Sequence, residues 1–196
     1  MSFKTPEQSK TVMTDLVLPS DTNALNHLFG GELLARMDRA ASISAVKHSE
    51  NIVVTASINN VSFGEPVPLG SILTIEAKVS RAFSTSMEVF IDVWIQNKKN
   101  RKKLKVNEAI YTFVAVNKRG RPVKVPDLKP ETDLEKNRYD SALRRRQLSL
   151  VLAGKMKANE ASELKAIFDW FEEHSFPNIT YCLLYTSDAA DEGGSG

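Results

Sequence analysis

A chain of 196 residues, 42% hydrophobic and 26% charged, is long enough to bury one ordinary core, alone or with a small appendage, and falls in the globular range. Its 26 basic residues are nearly balanced by 24 acidic ones, so the net charge of +2 gives no reason to expect nucleic acid or an anionic membrane surface as partner. No apolar run approaches the roughly 20 residues that span a bilayer, Met1 to Pro6 lack the apolar core of a signal peptide, and the expected location is cytoplasmic.

Residues 1–10 are polar and expected to be flexible. Residues 11–18 alternate well enough for a first strand. A turn-rich loop follows, from Leu18 through Asn26 and His27 to Phe29-Gly30-Gly31, and runs into a helix over 32–47. At 100° per residue, Leu33, Leu34, Met37, Ala40, Ala41, Ser44 and Ala45 form one small-to-medium apolar arc, and Glu32, Arg36, Arg39 and Lys47 form a charged one. Asp38 belongs to neither arc, because its helical neighbours are Leu34, Ala41, Ser42 and Ala45. So many alanines and serines predict a helix that something packs around very closely.

Four strands are expected next, over 52–60, 71–80, 86–95 and 105–116. In the second of these Leu73, Ile75, Ala77 and Val79 share a face, and in the third Met87, Val89, Ile91, Val93 and Ile95 alternate with Glu88, Phe90, Asp92 and Trp94. The order β-α-β-β-β-β predicts one antiparallel sheet against one long helix. The basic stretch 97–103 is expected to be a solvated hairpin loop rather than a phosphate site. An amphipathic helix is expected over 131–152, with Arg144-Arg145-Arg146 inside it and Gly154 as its stop. Those three arginines suit either coenzyme phosphates or solvent. Asn159 reads as the N-cap of a last helix over 160–173. Cys182, the single cysteine, cannot form an intramolecular disulfide. It opens a segment, 182–192, that looks like a translated sequencing adaptor, followed by a Gly-Gly-Ser-Gly linker, so 182–196 is left out of the fold.

The glycines at the helix start and the acid further along it carry the chemistry. Backbone N–H groups in a first turn can hold developing negative charge, and a carboxylate one to two turns on can steer a water. These are the parts needed to attack an activated carbonyl such as a thioester. No Gly-x-Ser-x-Gly motif is present, the histidines are His27, His48 and His174, and no His/Cys/Asp cluster has metal-ligand spacing. Neither a metal nor a cofactor is therefore expected.

Leu18-Pro19-Ser20-Asp21-Thr22-Asn23, then Phe29-Gly30-Gly31, then Met37-Asp38 resemble the acyl-CoA thioesterases of the hotdog fold, in the cytosolic acyl-CoA hydrolase group. Val53 to Ser57, Ser84 to Val89 and Val125-Pro126 are similar to that group too, and the resemblance covers about residues 11–155. It implies an α+β hotdog fold, an antiparallel sheet wrapped around one central helix, over 11–126, with a C-terminal helical extension over 127–181. It implies hydrolysis of acyl-CoA to a free fatty acid and coenzyme A, with coenzyme A only as part of substrate and product. Asp38 then corresponds to the helix acid that serves as general base or as nucleophile. Asn23 corresponds to the loop asparagine that positions water or thioester from the facing subunit, and Gly31 to the backbone donor for the oxyanion. Gly30, His27 and Phe29 flank that donor and, with Ser84, Thr85 and Ser86 along the coenzyme, complete the expected substrate-binding set. The resemblance also implies a homodimer as catalytic unit, gathered into a hexamer as a trimer of dimers.

The position of Asn26 is commonly glycine in the group, and asparagine is the next-best residue for a left-handed turn. Asp-Thr-Asn is also good turn chemistry in its own right. Two other functions fit the same fold: a hydratase or dehydratase of acyl thioesters, for which His27 is the candidate histidine, and a non-catalytic acyl-CoA-binding regulator.

Overall fold

The computed structural model describes residues 3–96 and 103–166. Most of the basic loop, His174, Cys182, the tail and most of the helix expected over 160–173 lie outside the described residues. The chain divides into two compact units, Met1–Ala142 and Leu143–Gly196.

In the first unit the elements run β1 (Phe3–Lys4), α1 (Pro6–Ser9), β2 (Thr11–Leu16), α2 (Gly30–Ser49), β3 (Ile52–Phe63), β4 (Ile72–Ala82), β5 (Ser86–Gln96), β6 (Lys103–Val116), β7 (Asp127–Leu128) and the start of α3 (Asp133–Leu152). Five strands make one antiparallel sheet in the order β2-β4-β5-β6-β3, and α2 contacts all five of them. The residues of α2 that face the sheet explain how it fits there. Met37, Ala40, Ala41, Ser44, Ala45 and His48 have no exposed surface, and the short side chains among them let the strands approach the helix backbone. The strand faces predicted to be apolar meet them: Leu73, Ile75, Ala77 and Val79 on β4, and Met87, Val89, Ile91 and Val93 on β5. Tyr111 and Phe113 of β6 stack with ring centroids 6.3 Å apart beneath α2. Each fully buried Val, Leu, Ile, Met or Phe stabilises the fold by roughly 1.5–3 kcal/mol, so this one layer supplies most of the driving force.

Helix α2 stops where Glu50 takes a left-handed conformation (φ 55°) and donates its N–H to Val46 O at 2.8 Å. Just beyond, Lys4 Nζ reaches Lys47 O at 2.8 Å and Glu50 at 2.6 Å, and His48 Nε2 donates to Pro126 O at 2.8 Å. Residues 3–10, expected to be flexible, are therefore ordered. β1 pairs in parallel with β7, and Ser9 is buried with its Oγ accepting the Val79 N–H at 2.9 Å. Sequence alone misses this because the segment's partners, from Lys47 to Asp127, lie far along the chain.

Two further expectations change. Strand β2 ends at Leu16 rather than 18, where Val17 turns inward and exchanges backbone bonds with Gly70 and Ser71. Arg36, placed on the charged arc, is buried with 7% exposure. The outer sheet face, polar in pattern, is partly covered by the start of α3: Arg138 lies 3.7 Å from the Phe90 ring centroid and bonds Asp92 at 2.7 Å, and Arg81 lies 3.9 Å from that of Tyr139.

In the second unit the end of α3 closes on Gly154 (φ 67°), with Gly154 N–H bonded to Val151 O and Lys155 N–H to Leu150 O. Asn159 is no N-cap: it sits inside a 3-10 turn, Ala158–Glu160, and residues 162–166 are helical after it. Gln147 does the capping instead, its Oε1 accepting the N–H groups of Glu163 (3.0 Å) and Leu164 (3.3 Å). A cap supplied from another helix leaves no local sequence signal.

Candidate active site

The loop before α2 is built by its own polar groups. Asn23 Oδ1 accepts the N–H of Leu25 (2.9 Å) and of His27 (3.2 Å), an Asx-type turn that leaves the side-chain Nδ2 group uncommitted to it. Asn26 adopts the left-handed conformation (φ 56°) that its sequence position implied, and Leu69 N–H bonds its carbonyl at 2.8 Å. Leu28 is buried and donates its N–H to Val67 O at 2.8 Å. These contacts hold the loop on the neighbouring 67–70 turn and bring the chain to Phe29, the N-cap of α2.

No side chain caps that helix start, and its first bond is Leu33 N–H to Phe29 O at 3.0 Å. The N–H groups of Gly30, Gly31 and Glu32 therefore precede the helical ladder and point out of the helix end. A Cβ built on Gly31 would meet nothing within 4 Å. Packing within the chain does not require glycine there, whereas close approach by a ligand would. Phe29 is half exposed beside it, and His27 is partly buried with its backbone bridged to Pro68.

Asp38 lies two turns further along, at the seam of α2, β3 and β6. Its Oδ1 accepts a hydrogen bond from Thr55 Oγ1 at 2.9 Å. Thr55 shares the helix-facing side of β3 with Val53, which packs on the core, and β3 changes register against β6 just after it. Below them the Tyr111 hydroxyl donates to Leu34 O at 3.2 Å, and burial together with the Asp38 charge raises its pKa to about 12. The helix turn that carries the acid is thus braced from the sheet. Sequence reasoning gave Thr55 no role; the available signals were its place in the Val53–Ser57 segment and a threonine among the apolar residues of β3.

Ser84, Thr85 and Ser86 lie at the β4–β5 turn, and Ser86 stands opposite Val114 of β6, which on its other side pairs with Val54 beside Thr55. The carbonyls of Ser84, Thr85 and Ser86 are taken by Val125, Ala115 and Phe83 N–H groups, at 3.1, 2.9 and 2.8 Å. Ser84 is exposed, Thr85 half-buried and Ser86 buried. A large groove of about 900 Å³ opens elsewhere, on the outer sheet face, lined by residues including Lys78, Asp92, Trp94, Lys105 and Arg138. Lys78 is paired with Glu7, and Lys105 and Arg138 with Asp92. Among the described residues no group of three or more His, Cys, Asp or Glu could hold a metal, and no helix is long and apolar enough to cross a membrane.

A five-stranded antiparallel sheet packed around one long helix, with an open helix mouth and a helix acid at its edge, defines the hotdog class of acyl-thioester enzymes. The sequence model of the thioesterase superfamily matches residues 25–101, and the chain belongs to that family. An uncharacterised acyl-CoA thioester hydrolase of Bacillus subtilis is 37% identical over 148 residues, which are 73% of this chain and 86% of the relative. The acyl-CoA hydrolase of Staphylococcus aureus, solved with butyryl coenzyme A, coenzyme A and coenzyme A disulfide, is 38% identical, covers 79% of this chain and 96% of its own, and superposes with a TM-score of 0.73. A hexameric thioesterase from Yersinia pestis is 32% identical with a TM-score of 0.55, over 60% of this chain and 95% of that one. Variants of the S. aureus enzyme replace an asparagine, an aspartate and a threonine by alanine, 15 and then 17 positions apart. Asn23, Asp38 and Thr55 stand at those same spacings.

Proposed function

We propose that the chain hydrolyses acyl-CoA thioesters and that Asp38 is the group that activates water. The observation that carries this is the Asp38–Thr55 pair: a half-buried carboxylate fixed by one hydroxyl at the rim of the helix–sheet seam, with its second oxygen left for a proton. Asp38 takes a proton as water attacks the thioester carbonyl, the oxyanion rests on the Gly31 N–H and Asn23 Nδ2, and collapse releases the carboxylic acid and the coenzyme thiolate, which recovers the proton. Direct attack by Asp38 to give an anhydride uses the same groups.

The helix itself argues for a shared site. Seven residues at 1.5 Å rise put Gly31 and Asp38 about 10 Å apart along α2, too far to bracket one carbonyl. Asp38 and Thr55 of one protomer therefore work with Asn23, Gly31 and the flanking His27, Phe29 and Gly30 of a second. The unpaired edge of β3, with Ile52, Val54 and Ile58 exposed, is the surface on which we place that dimer; the hexameric relative supports a trimer of such dimers. Ser84 and Thr85, with Ser86 behind them, would lie along the coenzyme. Residues 11–126 act as the catalytic body, 127–181 as an extension, and the cytoplasm as the location.

Purified protein assayed on acyl-CoA of short to long chain, read by free thiol, tests the activity, with crotonyl-CoA included to detect hydration. Asp38→Asn should lower kcat by roughly 10²–10⁴ with folding unchanged, the scale for losing a general base. Turnover in that variant close to wild type would eliminate the mechanism.

A further inference from the structure

We infer that Arg36 is a positioning residue for the active-site loop, an inference that rests on the acyl-CoA hydrolase reading above. Arg36 lies on α2, buried, and reaches back along the loop. Its Nη2 donates to Asp21 Oδ2 at 2.8 Å and its Nε to Asp15 Oδ2 at 3.0 Å, while Nη1 is buried without a partner. Asp21 in turn gathers both ends of the loop. Its Oδ2 also accepts the Leu18 N–H at 2.9 Å, and its carbonyl accepts the N–H of Phe29, the helix N-cap, at 2.9 Å. One guanidinium thus joins the end of β2, the loop carrying Asn23, and the helix whose first turn carries Gly31.

An arginine with one nitrogen stranded in the interior is a poor device for stability, because desolvation offsets much of the attraction to its acids. It is a good device for direction: the planar fork fixes two carboxylates from different elements at set angles, which an ammonium cannot do. Asn23 Nδ2 and Gly31 N–H must meet the same carbonyl, so what matters is their mutual placement. Misplacing a reacting group by about 1 Å can cost on the order of a hundredfold in rate. The charged arc of α2 contains this residue only by periodicity; its role comes from Asp15 and Asp21, 21 and 15 residues earlier.

The test uses the full chain with Arg36→Met, Arg36→Lys and Asp21→Asn, at fixed protomer concentration and well below each melting temperature. We expect Arg36→Met to lower kcat per folded protein by about ten- to a hundredfold with KM within about threefold, and Arg36→Lys to recover only part of it. Gly154→Ala, in the second unit, serves as a control destabilised elsewhere and should keep wild-type kcat. Hydrogen exchange gives a readout independent of activity: the Asn23 and Phe29 amides should lose protection in Arg36→Met while those of β4 and β5 keep it. If Arg36→Met does not fold, Asp21→Asn carries the same expectations, since it keeps an acceptor for Leu18 N–H and loses the ion pair. A variant with kcat within twofold of wild type and unaltered protection at Asn23 and Phe29 overturns the inference. A wild-type chain that hydrolyses no acyl-CoA overturns the functional reading instead, and the exchange experiment still decides whether Arg36 holds the loop.

Discussion

Ser44→Ala should stabilise this protein, against the usual direction of core substitutions. Ser44 sits on the sheet-facing side of α2 with no exposed surface, and its hydroxyl has no hydrogen-bond partner. A buried hydroxyl without a partner costs about 1–3 kcal/mol relative to one hydrated in the unfolded chain. Alanine is also the better helix former, by roughly 0.5 kcal/mol. Against these stands the small void left by one oxygen, about 0.5 kcal/mol on the scale of core truncations. The net expectation is a gain of about 1–3 kcal/mol, or roughly 2–12 °C in Tm for a chain of this size. Thermal melts followed by circular dichroism at equal protomer concentration measure it, because association itself raises Tm. Ser42→Ala is the control: Ser42 is half-buried on the same helix and donates to Arg39 O at 3.0 Å, so its change should stay within about 0.5 kcal/mol. A loss of 1 kcal/mol or more in Ser44→Ala would refute the reasoning, since it would mean that the hydroxyl has a polar partner after all.

Burial, aided by the nearby Lys4 charge, lowers the His48 pKa below 6.5, although the bond to Pro126 O opposes this. The unfolded chain therefore binds the proton more readily than the folded one. This contribution to stability is whole above about pH 6.5 and shrinks as pH falls toward the folded-state value, with a slope of at most about 1.4 kcal/mol per pH unit. Urea unfolding at pH 7.5, 6.5 and 5.5 should show that slope in wild type and a flatter one in His48→Gln; equal slopes would dismiss His48 as its source. Asn26→Val forces a β-branched residue into the left-handed region and should cost about 1–2 kcal/mol, whereas Asn26→Gly should be neutral or better, both read by chemical denaturation.

Much of the fold was legible because its strongest signals are local. The alternation of β5 and the apolar arc of α2 each name the face that becomes buried, and Asn26 announced its own backbone conformation. The site was legible in pieces: Asp38 stood out by belonging to neither arc of its helix, and Gly30-Gly31 by preceding it. What could not be read are the partners made across the fold. Thr55 meets Asp38 only because β3 lies beside that turn of α2, Arg36 leaves its predicted surface only because two aspartates upstream draw it in, and residues 3–10 become ordered only when β7 and the end of α2 arrive. Periodicity describes a residue's place on its own element and says nothing about such meetings.

Strand β3 leaves twelve residues of backbone along one border of the sheet, several of them beside exposed apolar side chains. A straight border of that length would accept almost any extended segment and invite chains to stack without limit. The irregularities after Thr55 and Asn59 break it into short runs. A passing strand gains few consecutive bonds on such a broken rail, while a strand with matching breaks loses nothing. The break that follows Thr55, the residue holding the acid, thus helps to keep the chain from polymerising.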